Sequence, residues 1–224
     1  MIERGAALMA AFLMAASPAF AQVGGPPQPP GPFVVDLRGA TMAVPEDPSF
    51  QPPAPSGTLF PTRGFGGEVA AHVYVANVLG GRLGLGASAL RIYASTSPPD
   101  APDPAPGTTP PERTIPDIRS TMTILAPQVS LNFGSRDGWS YVSAGYGTAS
   151  LRMETGGLAD EVVRESGRLP AINVGGGARW FRSDHLAFAF DIRVHIVGAQ
   201  SRAVPEVSTP RTTLMAASVG ISLR

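Results

Sequence analysis

Residues 185–197, His185-Leu-Ala-Phe-Ala-Phe-Asp-Ile-Arg-Val-His-Ile-Val197, separate into two faces at a period of two. Leu186, Phe188, Phe190, Ile192, Val194 and Ile196 fall on one side, with Ala187, Ala189, Asp191, Arg193 and His195 on the other. A helix would mix these sets and a pleated strand keeps them apart, so the stretch reads as a β-strand with one wholly apolar face. Residues 212–223 behave alike: Met215, Ala217, Val219, Ile221 and Leu223 oppose Leu214, Ala216, Ser218, Gly220 and Ser222. In a third stretch Leu125, Pro127, Val129, Leu131 and Phe133 oppose Gln128, Ser130 and Asn132.

Eight such segments, bounded by Gly, Pro, Asp or Ser, cover 33–44, 65–78, 82–96, 118–133, 139–153, 169–181, 185–197 and 212–223. Aromatic residues on both faces of 139–146 leave the phase of the fifth open. Long, Pro-rich connections at 45–63, 97–117, 154–168 and 201–211 alternate with tight ones at 79–81, 134–138 and 182–184. Short turns at one end and long loops at the other are the pattern of a membrane-spanning barrel. The expected fold is all-β, an eight-stranded antiparallel up-and-down transmembrane β-barrel over 33–224, and the even strand count brings both barrel termini to the short-turn end.

Composition agrees. Charged residues make up 15% of the chain, against roughly 25% in ordinary soluble domains. Every basic residue is arginine, and the 17 positive charges balance 17 negative ones, so no basic footprint for nucleic acid exists. The absence of cysteine excludes disulfides, thiolate catalysis and Cys-ligated zinc. Met1-Ile-Glu-Arg4, an apolar run over 5–16 and Ala-Phe-Ala21 before Gln22 form the pattern of a signal peptide cleaved after Ala21, residues 1–21. Residues 22–32, rich in Pro and Gly, read as a linker. No later run is long and apolar enough for a membrane helix, which takes about 18 residues, so any crossing must use strands.

The polar face decides which side points outward. A soluble barrel would cover itself with long solvated side chains; here that face carries Gly84, Gly86, Ser88, Asn173, Gly175, Gly177, Ser218, Gly220 and Ser222, which suit a narrow filled lumen. Its charged members, Asp36, Arg38, Glu68, His72, Arg179, Asp191, Arg193 and His195, include both signs. They are expected to form an internal ion-pair and hydrogen-bond network, since desolvated charges must be paired. Phe133, Trp139, Tyr141, Trp180 and Phe181 flank two tight turns and are expected as aromatic anchors at a membrane interface.

Over 33–223, in strand count and in segments such as Trp139-Ser-Tyr-Val-Ser-Ala-Gly-Tyr-Gly147, the chain resembles the small bacterial outer-membrane β-barrel proteins of the OmpX and OmpA-barrel type. The resemblance implies insertion by the barrel assembly machinery and a surround of membrane lipid and lipopolysaccharide; no cofactor is expected, and three scattered histidines lack the spacing of a metal site. Members usually end in an aromatic residue, whereas this chain ends Ser222-Leu-Arg224.

Three other chemistries lack the residues they need. Gly84-Leu-Gly-Ala-Ser-Ala89 has a degenerate dinucleotide fingerprint, but the residues after it suit a strand and not the required helix. Asp191 and His195 suggest a general base, yet no serine is placed to serve it. Lipid A deacylases, similar in size, carry a His-x-Ser spacing that none of the three histidines here has. The expectation is a non-enzymatic structural or interaction protein, with Tyr74, Tyr93 and the 97–117 loop as candidate contact elements. The alternative is a soluble periplasmic barrel, lipocalin-like, with the apolar face of 186–196 turned inward around a small molecule.

Overall fold

The computed structural model describes residues 31–98, 115–135, 138–157, 161–199 and 209–224. Residues 1–21 and nearly all of the 22–32 linker, with most of the 97–117 and 201–211 loops, lie outside the described residues. Nine strands form one antiparallel sheet: β1 (Phe33–Ala43), β2 (Arg63–Val78), β3 (Gly81–Thr96), β4 (Asp117–Ser135), β5 (Gly138–Gly156), β6 (Val163–Glu165), β7 (Leu169–Phe181), β8 (Leu186–Val197) and β9 (Thr212–Leu223). Each barrel strand pairs with its neighbours in sequence, β1 pairs with β9, and the ring of eight is closed. β6 is a three-residue addition paired to β5 at the long-loop end.

The fold is therefore all-β, a closed eight-stranded antiparallel up-and-down barrel. β4 contains Pro127, whose missing N–H would interrupt a central ladder. It sits where the β4–β5 pairing steps from Leu125–Thr148 to Gln128–Gly145, so no pair is asked of it there.

Alternation sets inside and outside. In β8 the residues Ala187, Ala189, Asp191, Arg193, His195 and Val197 face inward, while Phe188 is 63% exposed outside. β9 continues this, with Ser218 and Ser222 buried and Val219 64% exposed. The fifth strand acquires its phase from its neighbours: Trp139, Tyr141 and Ser143 point inward and Val142 and Tyr146 outward. Gly177 faces Tyr141 across the pair, and a Cβ there would sit 1.9 Å from the Phe190 carbonyl oxygen and 2.8 Å from the Tyr141 hydroxyl. Glycine is required at this position for the phenol to enter the lumen.

Inside, the barrel is layered. Toward the long-loop end lies an apolar cluster including Met42, Ile92, Met122, Leu151 and Leu214, closed by Phe50 from a 3-10 turn over Pro48–Phe50. The loop carrying that turn is tied down where Arg164 donates to the Gln51 carbonyl at 3.1 Å. Asp47 caps the turn, and hydrogen bonds from the Ser49 hydroxyl and then the Ser49 amide hold its carboxyl below the ordinary value. At the short-turn end Val34, Tyr74 and Trp139 pack together, with Phe181 against the Trp139 ring at 4.6 Å between centroids. The guanidinium of Arg224 stacks over Phe181 at 4.0 Å. Between these apolar layers lies the polar one.

Candidate functional site: a charged lumen in an apolar sheath

Asp36, Arg38, Glu68, His72, Arg179, Asp191, Arg193 and His195 are all buried inside the barrel, none more than 5% exposed. Three arginines and three carboxylates among them leave no net charge. Arg179 grips Asp36 with two parallel hydrogen bonds, Nε to Oδ1 at 2.9 Å and Nη2 to Oδ2 at 2.7 Å, and gives a third to Asn132 at 3.1 Å. Ser222 also donates to Asp36. This fork geometry is the strongest form of carboxylate binding available to a side chain.

Arg38 bonds Tyr141 at 2.5 Å and pairs with Glu68 at 3.2 Å. Arg193 donates to both oxygens of Asp191 at 3.2 and 3.0 Å, to Asn173 at 2.7 Å and to Ser143 at 2.8 Å. Tyr141 joins the two halves, accepting from Arg38 and donating to Asp191 at 2.7 Å, while Arg179 stacks on its ring at 4.0 Å. Gln128 extends the chain to Ser88 and Asn173, and Ser218 to Glu68.

The structure corrects two expectations. The histidines share the layer without joining its bonds: no ring nitrogen of His72 or His195 has a hydrogen-bond partner among the described residues. His195 lies beside Asn173, whose oxygen already serves Arg193 and Gln128, and His72 packs over Gly86. The aromatic set divides as well. Trp139 and Tyr141 are 2% and 3% exposed and belong to the interior, because the phase of β5 turns them inward. Phe181 is half-buried against Trp139 and Phe133 is half-buried, so Trp180, 56% exposed, alone of the five stands fully on the outer surface. Sequence pattern alone misses Tyr141 as a network member, because its hydroxyl reads equally well as a membrane-interface group.

Tyr141→Phe tests that membership. It removes the hydroxyl that accepts from Arg38 and donates to Asp191, and leaving charged partners underbonded costs about 1–3 kcal/mol. The urea midpoint of the barrel in phosphatidylcholine vesicles is expected to fall accordingly; an unchanged midpoint would remove Tyr141 from the network.

The outer surface is the complement. Leu37, Phe65, Val69, Val73, Leu85, Leu125, Val129, Val142, Ile172, Phe188, Met215 and Val219 are all exposed. No charged residue occupies an outward position of β1, β7, β8 or β9. The soluble alternative required the Leu186–Ile196 face inside, and it lies outside. The wall is closed, its hydrogen bonds are satisfied within the ring, and its polarity is inside out; such a barrel is one of the two architectures by which a backbone can cross a bilayer.

Among the described residues no group of three or more His, Asp or Glu side chains is arranged to hold a metal ion. No protein-family model matches the sequence, and no curated protein sequence does. Among solved structures, neisserial surface protein A is similar at 12% identity with a TM-score of 0.49, over 86% of this chain and 97% of the other. Ail, the attachment invasion locus protein of Yersinia pestis, is similar at 8% identity and 0.46, over 85% and 95%. The outer membrane protein OprG of Pseudomonas aeruginosa is similar at 11% identity and 0.43, over 85% and 94%.

Proposed function

We propose that this protein spans a bacterial outer membrane as a barrel with a filled interior, and that it acts without catalysis, as a structural or interaction protein presenting its long loops. The observation that carries this reading is the inversion of polarity between a bonded ionic layer inside and an apolar sheath outside. In water the arrangement would expose a broad apolar belt, far beyond the few hundred Å² that soluble monomers tolerate. In hydrocarbon it leaves no wall charge unsatisfied on β1, β7, β8 or β9. On this reading residues 1–21 direct export, the barrel assembly machinery inserts the strands, and the long-loop end faces lipopolysaccharide. The three stacked lumen layers argue against a conducting pore, since an eight-stranded barrel has room for little beyond its own side chains.

The test is gel migration of the protein from the outer-membrane fraction, boiled against unboiled in SDS. A closed barrel is expected to resist detergent and migrate differently until boiled. Identical migration, with the protein recovered from soluble periplasm, would overturn the reading.

A further inference from the structure

The three short turns of the barrel differ in chemistry. Two have charged, polar tips: Arg182-Ser-Asp-His185 joins β7 to β8, and Ser135-Arg-Asp137 lies between β4 and β5. The turn between β2 and β3 is Leu79-Gly80, and Leu79, 85% exposed, is the most exposed large apolar side chain among the described residues. Both turn residues take positive φ, 52° at Leu79 and 74° at Gly80, and among the described residues Leu79 is the one non-glycine to do so. Two-residue turns with this backbone favour Asn-Gly, because asparagine tolerates the left-handed region and a bulky side chain crowds the backbone there. A leucine at this position works against its own turn and against water, and such strain is characteristic of positions that serve a function.

The hairpin that carries the turn is aimed to match. Register shifts by one residue between Tyr74, opposite Gly84, and Ala76, opposite Leu83, so Val75 is an inserted bulge residue. A bulge re-aims the side chains that follow it. Simple alternation from the buried Tyr74 would send Asn77 outward and Val78 inward. With the bulge, Asn77 stands opposite Arg82, whose other register partner is the buried Asn132, so this polar pair takes the lumen side. Arg82 donates to the Asn77 side chain at 3.3 Å. Val75 and Val78 are exposed on the outer side, in line with Val69 and Val73 further up the same strand. The apolar wall therefore runs from the middle of β2 to the turn without a polar side chain.

We propose that the tip of the β2–β3 hairpin, Val78 and Leu79, is seated in the phospholipid of the inner leaflet, while the other two short turns stand in water. The occupant follows from continuity: the tip prolongs the face that the membrane reading places against hydrocarbon. A two-residue turn also suits the edge of a leaflet. Val78 and Gly81 form the last pair of the ladder, so little backbone is left to be satisfied by water. An apolar anchor on one side of the rim sets the depth of the barrel there. The inference rests on the membrane reading above and goes beyond it by naming which turn enters the leaflet and the residues that hold it.

The chain has no cysteine, so single cysteines can be introduced and labelled with a fluorophore. Val78→Cys is compared with Phe188→Cys on the wall and Ser183→Cys in the β7–β8 turn. Each labelled barrel is folded into phosphatidylethanolamine and phosphatidylglycerol vesicles and quenched by a lipid-borne nitroxide or by iodide in the water. Hydrocarbon excludes an anion, so the probe at 78 is expected to be about fivefold less sensitive to iodide than the probe at 183. Its quenching by the nitroxide should match that of the probe at 188. Adding Leu79→Asn, which suits the backbone of the turn, is expected to raise iodide sensitivity at 78 to the level at 183 while the heat-dependent gel shift persists. Iodide sensitivity at 78 equal to that at 183, or no change on Leu79→Asn, would overturn the proposal and leave the barrel reading intact. A probe at 188 open to iodide would instead strike the membrane reading, and the proposal with it.

Discussion

Asp36→Ala is expected to destabilise the barrel by about 3–5 kcal/mol, the cost of removing one partner from a buried ion pair and stranding the other. Asp36 is fully buried and receives both parallel bonds of the Arg179 fork together with the Ser222 hydroxyl. Without it the Arg179 guanidinium, only 1% exposed, keeps Asn132 as its hydrogen-bond acceptor, and the charge balance of the lumen is broken. The comparison that isolates the mechanism is Asp36→Leu combined with Arg179→Met. A buried ion pair replaced by apolar groups of similar volume is often neutral or stabilising, so the double variant is expected to recover most of the loss. Urea unfolding in lipid vesicles, followed by tryptophan fluorescence, reads both. A loss below about 1 kcal/mol for Asp36→Ala would mean that the pair does not hold the barrel together.

The contrast between strands explains how much of this is legible in the sequence. β8 and β9 announce themselves because one face is continuously apolar and the other mixes small and charged residues, so alternation alone places Asp191, Arg193 and Ser218 inside. The tight turns and the ends of most strands follow from Gly and Pro. The signal fails where both faces carry the same chemistry. In the long-loop half of the barrel Leu90, Ile92, Met122, Ile124 and Leu151 point inward, so an apolar layer sits above the charged one and alternation no longer tells lumen from wall. β5 fails for a related reason, since Trp139 and Tyr141 face in and Tyr146 faces out, and only pairing with Gly177 and its neighbours decides the phase. The pairing of Arg179 with Asp36, on β7 and β1, depends on ring closure, which no local pattern encodes. The bare ring nitrogens of the histidines are illegible for the same reason, because they reflect which acceptors the arginines have already taken.

Phe190→Arg is expected to cost about 2–4 kcal/mol, the penalty for a cation at the midplane of a barrel's lipid face. Phe190 lies near the middle of β8, points outward, and pairs with Ala178 on one side and Val219 on the other, so no carboxylate stands beside it. Thr213→Arg is the control: it is also outward, but it lies at the long-loop end of β9, where its register partner is the uncharged Ile196. There the penalty should fall to about 0–1 kcal/mol, since it declines toward the interface. Depth dependence is the discriminating feature. A barrel surrounded by water has no midplane, and a surface substitution of Phe190 would then change stability by about 0.5 kcal/mol or less. Equal and small effects of the two variants on the urea midpoint in vesicles would therefore contradict a bilayer around this wall, whereas a gap of about 2 kcal/mol would place Phe190 in hydrocarbon and Thr213 at its edge.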